Sequence, residues 1–125
     1  MLDRTFLFTD IEGSTTLWER SPELMRGALA RHDAILREVI EEHNGSVFKT
    51  VGDSFCADFS TVPDAIRAAA AAQREISAET WDGAASAIRV RMAIHTGPAE
   101  ARDGDFFGQT LKRMSGICGF RIGRS

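Results

Sequence analysis

The sequence predicts an α+β domain with a ferredoxin-like βαββαβ core, in which an antiparallel-rich sheet carries helices on one face. Short segments with the alternation of β-strands occur at residues 4–10, 46–59 and 88–95. Two longer segments with helical periodicity separate them, at residues 21–44 and 60–76. The chain has 125 residues, of which 43% are hydrophobic, and this is enough for one such domain.

The first strand, residues 4–10, is almost entirely apolar and ends at a carboxylate. Its alternate side chains divide between the two faces of a sheet, with Phe6 and Phe8 on one face and Leu7 on the other. A strand of this kind is usually central in its sheet. It therefore places Asp10 at the edge of the sheet where the strand ends.

The turn after Asp10 has the composition of a phosphate-binding loop. Gly13 allows a sharp bend and a close approach to a ligand, and it is followed by the hydroxyl residues Ser14 and Thr15. Backbone N–H groups without a partner at such a turn bind phosphate. A carboxylate beside them is a suitable ligand for Mg²⁺. The alternative is that Asp10 only caps the next helix.

Two helices are predicted between the first strand and residue 45. A short one covers Ser14–Arg20, and a longer one begins with Ser21 as N-cap and Pro22 in its first turn. The longer helix ends before Gly45, which is expected to take the left-handed conformation. His32 lies on its apolar stripe, where we expect a packed, hydrogen-bonded side chain rather than a metal ligand.

The segment 46–59 predicts a β-hairpin with Gly52-Asp53 as its turn, because apolar alternation continues on both sides of these two residues. Asp53 then lies at the tip of the hairpin. If the hairpin pairs beside the first strand, Asp53 and Asp10 converge, and two carboxylates can hold two Mg²⁺ ions. The alternative is that Asp53 is only a polar turn residue.

The remaining elements follow in order. A helix is expected from residue 60 to about residue 76, and after it Trp81 packs either on the domain edge or on a partner, which the pattern leaves open. Residues 88–95 form a strand that is apolar on one side only. Gly97-Pro98 predicts a turn, with residues 99–102 as a short returning strand.

Charge and composition exclude several classes of function. The net charge is −3 and the pI is about 5.6, whereas proteins that bind nucleic acid or anionic membranes are basic. No apolar run is long enough to cross a membrane, and no signal-peptide pattern is present. The cysteines Cys56 and Cys118 lack metal or redox spacing, so we expect a cytoplasmic protein.

Four motifs occur in a fixed order along the chain: FTDIEGST, FKTVGDSF, IRVRMAIHTGP and GDFFGQTL. Together they resemble the catalytic domain of the class III nucleotidyl cyclases, the adenylyl and guanylyl cyclases. The resemblance runs from about Arg4 to about Leu111. It implies a cyclase-homology domain over residues 1–108, incomplete at its C-terminal end, and a divergent basic, glycine-containing tail over residues 109–125.

The resemblance implies conversion of ATP to 3′,5′-cyclic AMP and pyrophosphate with two divalent metal ions, Mg²⁺ or Mn²⁺. Asp10 and Asp53 match the metal-binding aspartates, and the Ile11 carbonyl would complete the site. The phosphates would be held by the N–H groups of Glu12, Gly13, Ser14 and Thr15. The family acts as a head-to-tail dimer, so a homodimer or a heterodimer with another cyclase domain is implied, without nucleic acid and without a membrane segment in this chain.

Two further residues match the family's base-selecting pair. Lys49 would donate to an acceptor on the edge of adenine, and Asp105 would accept from the adenine amino group. The pair favours ATP over GTP, because guanylyl cyclases carry different residues at these positions. The alternative is a solvated lysine and an aspartate in a loop.

The sequence departs from the family after the FFG turn. The family has an Asn that orients the ribose and, four residues later, an Arg that stabilises the transition state. This chain has Lys112 and Gly116 at those positions. Loss of one preorganised donor typically costs a hundredfold or more in rate, roughly 3 kcal/mol. The departure therefore predicts impaired turnover.

Two alternatives belong to other functional classes. The first is a cyclase homologue that binds metal-nucleotide, or pairs with a complete cyclase domain, without catalysis. The second is a haloacid-dehalogenase-like phosphatase with Asp10 as nucleophile. That family requires Asp at the position where this chain has Glu12. It also requires an α/β sheet with a later acidic pair, and the sequence meets neither requirement.

Overall fold

The computed structural model describes residues 2–81, 88–102 and 105–107. Within these ranges the chain forms five strands and three helices. The strands are β1 (Leu2–Ile11), β2 (Ser46–Val51), β3 (Ser54–Phe59), β4 (Val90–Arg102) and β5 (Asp105–Phe107). The helices are α1 (Ser14–Arg20), α2 (Pro22–Glu42) and α3 (Val62–Ala78).

The strands form one antiparallel sheet in the order β2-β3-β1-β4-β5. β1 is central and pairs with β3 on one side and with β4 on the other. This confirms the predicted fold class: the first helical crossover leads from β1 to β2, β3 then fills the position between them, and α3 leads from β3 to β4 on the other side of β1. β5 also contacts β2, so the strands at the two ends of the order meet.

The two faces of the sheet differ in what they carry. One face, here called the helix face, includes Leu7 and Ile11 of β1 and packs against α2 and α3 in the hydrophobic core. The opposite face, here called the second face, includes the alternate residues of β1. These are Arg4, Phe6, Phe8 and Asp10, together with their cross-strand neighbours. Both phenylalanines are fully buried, and the predicted division of β1 between two faces is confirmed.

The end of α2 differs from the prediction at one residue. Asn44, not Gly45, takes the left-handed conformation, with φ of 64°. The N–H of Gly45 donates to the Ile40 carbonyl at 2.8 Å, which closes the helix as a Schellman motif. Gly45 is required for space, because a Cβ there would lie 2.6 Å from Cζ of Phe59. The start of α2 is as predicted in position, but the side chain of Ser21 makes no capping hydrogen bond.

The prediction of a turn at Gly97-Pro98 is wrong. β4 continues through both residues, with Gly97 opposite Arg4 and Pro98 opposite Asp3 of β1. The pairing with β1 extends over the whole of that strand, from Ile11 to Leu2, and outweighs the local preference of the Gly-Pro sequence for a turn. The chain turns back only at β5, which pairs with the last three residues of β4.

The hairpin and the end of α3 complete the fold. Gly52 has φ of 58°, as the tight turn between β2 and β3 requires, and a bulge at Phe48 interrupts the register of β2. Trp81 is 9% exposed and donates from Nε1 to the Ile76 carbonyl at 3.1 Å, so of the two alternatives it packs on its own domain. Within the described residues, no helix is both long and apolar enough to cross a membrane.

Candidate functional site

The register of β1 against β3 brings the two predicted metal-binding aspartates to the same end of the sheet. Thr9 lies opposite Phe55 where the pairing of the two strands ends. Asp10 follows Thr9 on β1, and Asp53 precedes β3 by one residue in the hairpin turn. Adjacent antiparallel strands are about 4.8 Å apart, so these positions are neighbours although 43 residues separate them in the sequence.

Asp10 is engaged by a residue of β4. Arg91 lies directly opposite Asp10 in the sheet. Its Nε donates to Oδ1 of Asp10 at 2.8 Å, and its terminal nitrogen donates to Oδ2 at 2.6 Å. The side chain of Asp10 is 8% exposed, whereas that of Arg91 is 57% exposed. This two-point geometry is the strongest form of a guanidinium–carboxylate contact.

Arg91 was not among the site residues predicted from the sequence. The available signal was its position in the predicted strand 88–95, where apolar and polar residues alternate and Arg91 is one of the polar ones. The polar side of this strand lies on the same face of the sheet as Asp10 once β4 pairs with β1. The pairing itself joins residues 81 positions apart, and local periodicity carries no information on such a register.

Asp53 differs from Asp10 in having an oxygen without a partner. Its Oδ2 is buried, and no hydrogen-bond partner for it exists within the described part of the chain. A buried carboxylate oxygen left in this state is costly unless a cation or a donor reaches it. The donor set therefore fits a hard divalent cation, for which carboxylate oxygens are the preferred protein ligands.

Among the described residues, the two carboxylates are not part of a larger cluster of metal-binding side chains. Residues 2–81, 88–102 and 105–107 contain no group of three or more His, Cys, Asp or Glu side chains that could hold a metal ion. Mg²⁺ is commonly bound by only one or two carboxylates, with substrate phosphates completing the shell. Asp10 and Asp53 match that pattern and do not match a metal cage made of protein alone.

The turn after β1 has the predicted left-handed glycine, but one of its expected phosphate donors is used inside the fold. Gly13 has φ of 68° and precedes the first residue of α1. The N–H of Glu12 donates to the Arg89 carbonyl at 2.8 Å, beside β4. The N–H groups of Ser14 and Thr15 belong to the first turn of α1, where no carbonyl within the helix can accept from them.

Lys49 lies on the second face, as Asp10 does. It is opposite Cys56 of β3, which in turn is opposite Phe8 of β1. Lys49 is therefore two strands away from Asp10 and two residues along, on the order of 12 Å between Cα atoms. Lys49 therefore lies on the same face of the sheet as Asp10 but is not adjacent to it.

Asp105 belongs to β5, the strand that contacts β2, so the strands that bear Lys49 and Asp105 meet. Only the backbone of Asp105 is described. Lys112 and Gly116, the residues at the positions of the family's Asn and Arg, lie outside the described residues.

Comparisons with known proteins identify the family of the chain. A model of the adenylate and guanylate cyclase catalytic domain matches residues 3–114. An uncharacterised protein of Mycobacterium tuberculosis is 37% identical over 113 residues, which are 89% of this chain and 37% of that protein. An adenylate cyclase of Schizosaccharomyces pombe is 40% identical over 75 residues, which are 60% of this chain and 4% of that enzyme. The chain thus spans little more than a third of the first relative and a small part of the second.

A solved structure is similar over nearly the whole chain. A Trypanosoma brucei adenylate cyclase domain, analysed in its monomeric state, superposes with a TM-score of 0.84 at 27% identity. The match covers 89% of this chain and 65% of that one.

Proposed function

The chain belongs to the adenylate and guanylate cyclase catalytic domain family, and on this premise we propose that it is an adenylate cyclase-type domain. The proposed reaction converts ATP to 3′,5′-cyclic AMP and pyrophosphate. The observation that carries the proposal is that Asp10 and Asp53 lie at one end of adjacent strands. Asp10 is bound to a guanidinium, and Asp53 has a buried oxygen with no hydrogen-bond partner among the described residues.

In this proposal Asp10 and Asp53 hold two divalent metal ions, with the Ile11 carbonyl as a further oxygen ligand. When bound there, Mg²⁺ or Mn²⁺ would supply a lower pKa for the attacking ribose hydroxyl and positive charge for the phosphates. The turn at Gly13, Ser14 and Thr15 orients the triphosphate through backbone N–H groups. The N–H of Glu12 does not take part, because the Arg89 carbonyl already accepts from it.

The choice of ATP over GTP rests on Lys49 and Asp105. An ammonium donates to the ring nitrogen of adenine, and a carboxylate accepts from the amino group of adenine. The contact between β2 and β5 supports this role, because it brings together the strands that bear the two residues. A nucleotide substrate also favours a cytoplasmic location.

We further propose that the active form is a dimer, because the family builds its site between two cyclase domains. The metal aspartates of one subunit would act with Lys49 and Asp105 of the other. A second copy of this chain, or another cyclase domain, can supply the second half of each site.

A second candidate function is metal-nucleotide binding without turnover. It is favoured by Lys112 and Gly116, which stand where the family has its ribose-orienting Asn and its transition-state Arg. Removing such a donor typically lowers the rate by a factor of about 10² to 10³. A homologue of this kind would become active only beside a domain that supplies the missing pair.

The test measures cyclic AMP formation from ATP and Mn²⁺ across a range of protein concentrations, with the Asp53→Asn variant as control. Adenylate cyclase activity should rise with the square of protein concentration at low concentration and should be absent in the variant. Binding of Mn²⁺–ATP without product, with product appearing only on addition of a domain that carries Asn and Arg, would support the second candidate. If the protein neither binds Mn²⁺–ATP nor forms product, both candidate functions are contradicted.

A phosphatase is no longer a competing candidate. The haloacid-dehalogenase-like fold requires an α/β sheet, whereas every pair of neighbouring strands among the described residues is antiparallel.

A further inference from the structure

We propose that Arg91 is the group that a divalent metal ion displaces from Asp10, so that this guanidinium controls metal binding. The inference rests on the proposed function, because it assigns Asp10 to a metal ion. It goes beyond that function in identifying what occupies the carboxylate before the metal arrives.

The first argument is that both oxygens of Asp10 are engaged. Nε and a terminal nitrogen of Arg91 each donate to a different carboxylate oxygen, at 2.8 and 2.6 Å. The carboxylate is 8% exposed, so solvent does not compete for it. Arg91 thus supplies the positive charge that a buried carboxylate requires in the metal-free protein.

A metal ion and the guanidinium compete for the carboxylate of Asp10. Divalent ions approach a carboxylate oxygen to about 2.0–2.6 Å. A divalent ion at that distance lies in direct repulsion with a guanidinium held on the same two oxygens. Charge repulsion from a bound divalent ion therefore favours the loss of at least one of the two hydrogen bonds that Arg91 donates.

The backbone of β4 beside Asp10 is held by the rest of the fold, whereas the Arg91 side chain lies largely in solvent. Gln73 of α3 donates to the Val90 carbonyl at 2.8 Å, and Glu12 donates to the Arg89 carbonyl at the same distance. These bonds hold the backbone immediately before Arg91. The Arg91 side chain itself is more than half exposed, so it can rotate away without disturbing the core.

The fold contains a matched control. Arg4 and Asp58 form the same two-point pair on the same face of the sheet, toward the other end of β1. Asp58 is not one of the proposed metal ligands. Arg4→Met therefore removes an equivalent guanidinium without touching the proposed metal site.

The experiment titrates Mn²⁺ alone, without nucleotide, into the parent protein, Arg91→Met, Arg91→Lys and Arg4→Met, and follows free Mn²⁺ by electron paramagnetic resonance. Methionine keeps the length of the arginine stem without its charge. We expect Arg91→Met to bind Mn²⁺ about tenfold more tightly than the parent, since a competing cation is lost. Arg91→Lys should lie between them, and Arg4→Met should match the parent.

A second measurement uses the parent protein and does not depend on how a variant folds. The Nε–H resonance of Arg91 should be protected from exchange in the metal-free protein, and it should lose that protection when Mg²⁺ is added. The Nε–H resonance of Arg4 should not change.

The outcomes separate this inference from the proposed function. Equal Mn²⁺ affinity in the parent and Arg91→Met, with stabilisation by Mn²⁺–ATP intact, would overturn the inference alone. Tighter binding in Arg91→Met without cyclic AMP formation by the parent would support the inference and count against catalysis. No Mn²⁺ binding by any of the proteins, with or without ATP, would overturn both.

Discussion

The guanidinium of Arg4 reaches from β1 to β3 and holds both carboxylate oxygens of Asp58, at 2.6 and 2.7 Å. These hydrogen bonds raise the pKa of Arg4 above its ordinary value, so the arginine stays charged wherever the protein is folded. Asp58 is 9% exposed, and both of its carboxylate oxygens accept hydrogen bonds from this partner. The pair links two strands on the second face of the sheet.

Arg4→Met should lower the free energy of unfolding by about 2 kcal/mol, because it leaves the Asp58 carboxylate buried without its cation. Urea denaturation of the parent and the variant measures the change. In Arg4→Met/Asp58→Asn, the cost should be smaller than the sum of the two single changes, since neither charge is then left alone. Additive losses would show that the two side chains do not stabilise the fold as a pair.

Gly45→Ala should destabilise the protein by about 1–3 kcal/mol. The added Cβ would lie 2.6 Å from Cζ of Phe59 and 2.8 Å from Cγ2 of Ile40, both of which are fully buried and cannot yield. Gly27→Ala is the control, because Gly27 is inside α2 and an added Cβ meets nothing within 4 Å. That change should stabilise by about 1 kcal/mol through helix propensity. The same sign of change at both positions in thermal unfolding would contradict the packing argument.

Sequence periodicity was sufficient for the elements whose burial pattern is local. β1 was predicted as a central strand with its phenylalanines on one face, and the structure confirms this. His32 was predicted to be a packed, hydrogen-bonded residue. It is fully buried, its Nδ1 lies 2.8 Å from Oδ1 of Asp33, and its ring packs edge-on against Phe55.

What the sequence did not provide depends on contacts between distant residues. The turn expected at Gly97-Pro98 does not form, because pairing of β4 with β1 decides the backbone there. Gly45 was assigned a conformational role, but its role is to make room for Phe59, 14 residues later. The link between Asp10 and Arg91 arises from strand register, which short-range patterns do not specify.

Asp53→Asn should leave the metal-free protein as stable as the parent or slightly more stable. Its Oδ2 is buried and has no hydrogen-bond partner in the part of the chain that the structure describes, so removal of the charge also removes a desolvation cost. In the parent, a ligand that binds only the folded state stabilises it by about 2.7 kcal/mol at 100 times its Kd. This stabilisation by Mn²⁺–ATP should disappear in the variant, because a proposed metal ligand is lost. Differential scanning calorimetry with and without Mn²⁺–ATP measures both effects. An unchanged ligand-induced shift in Tm would contradict the role of Asp53 as a metal ligand.

Lys49→Glu should change the preference among nucleotides and leave metal binding largely intact. Lys49 is on the second face, two strands away from Asp10, so the substitution does not touch the carboxylate pair. A glutamate cannot donate to the ring nitrogen of adenine, and it can accept from the N–H groups of guanine. The measurement compares the rise in Tm produced by Mn²⁺–ATP with that produced by Mn²⁺–GTP.

The parent should be stabilised more by ATP than by GTP, and Lys49→Glu should reduce or reverse this difference. Arg37→Glu is a suitable control for the change of charge, because Arg37 lies beside β2 but belongs to α2 and stacks over Phe55. It should keep the parent's preference for ATP. If both substitutions weaken binding of ATP and GTP equally, the effect is one of overall charge on the triphosphate, and Lys49 does not select the base. If only Lys49→Glu alters the ratio, the ammonium reads the base, as expected for a residue of β2, the strand that β5 contacts.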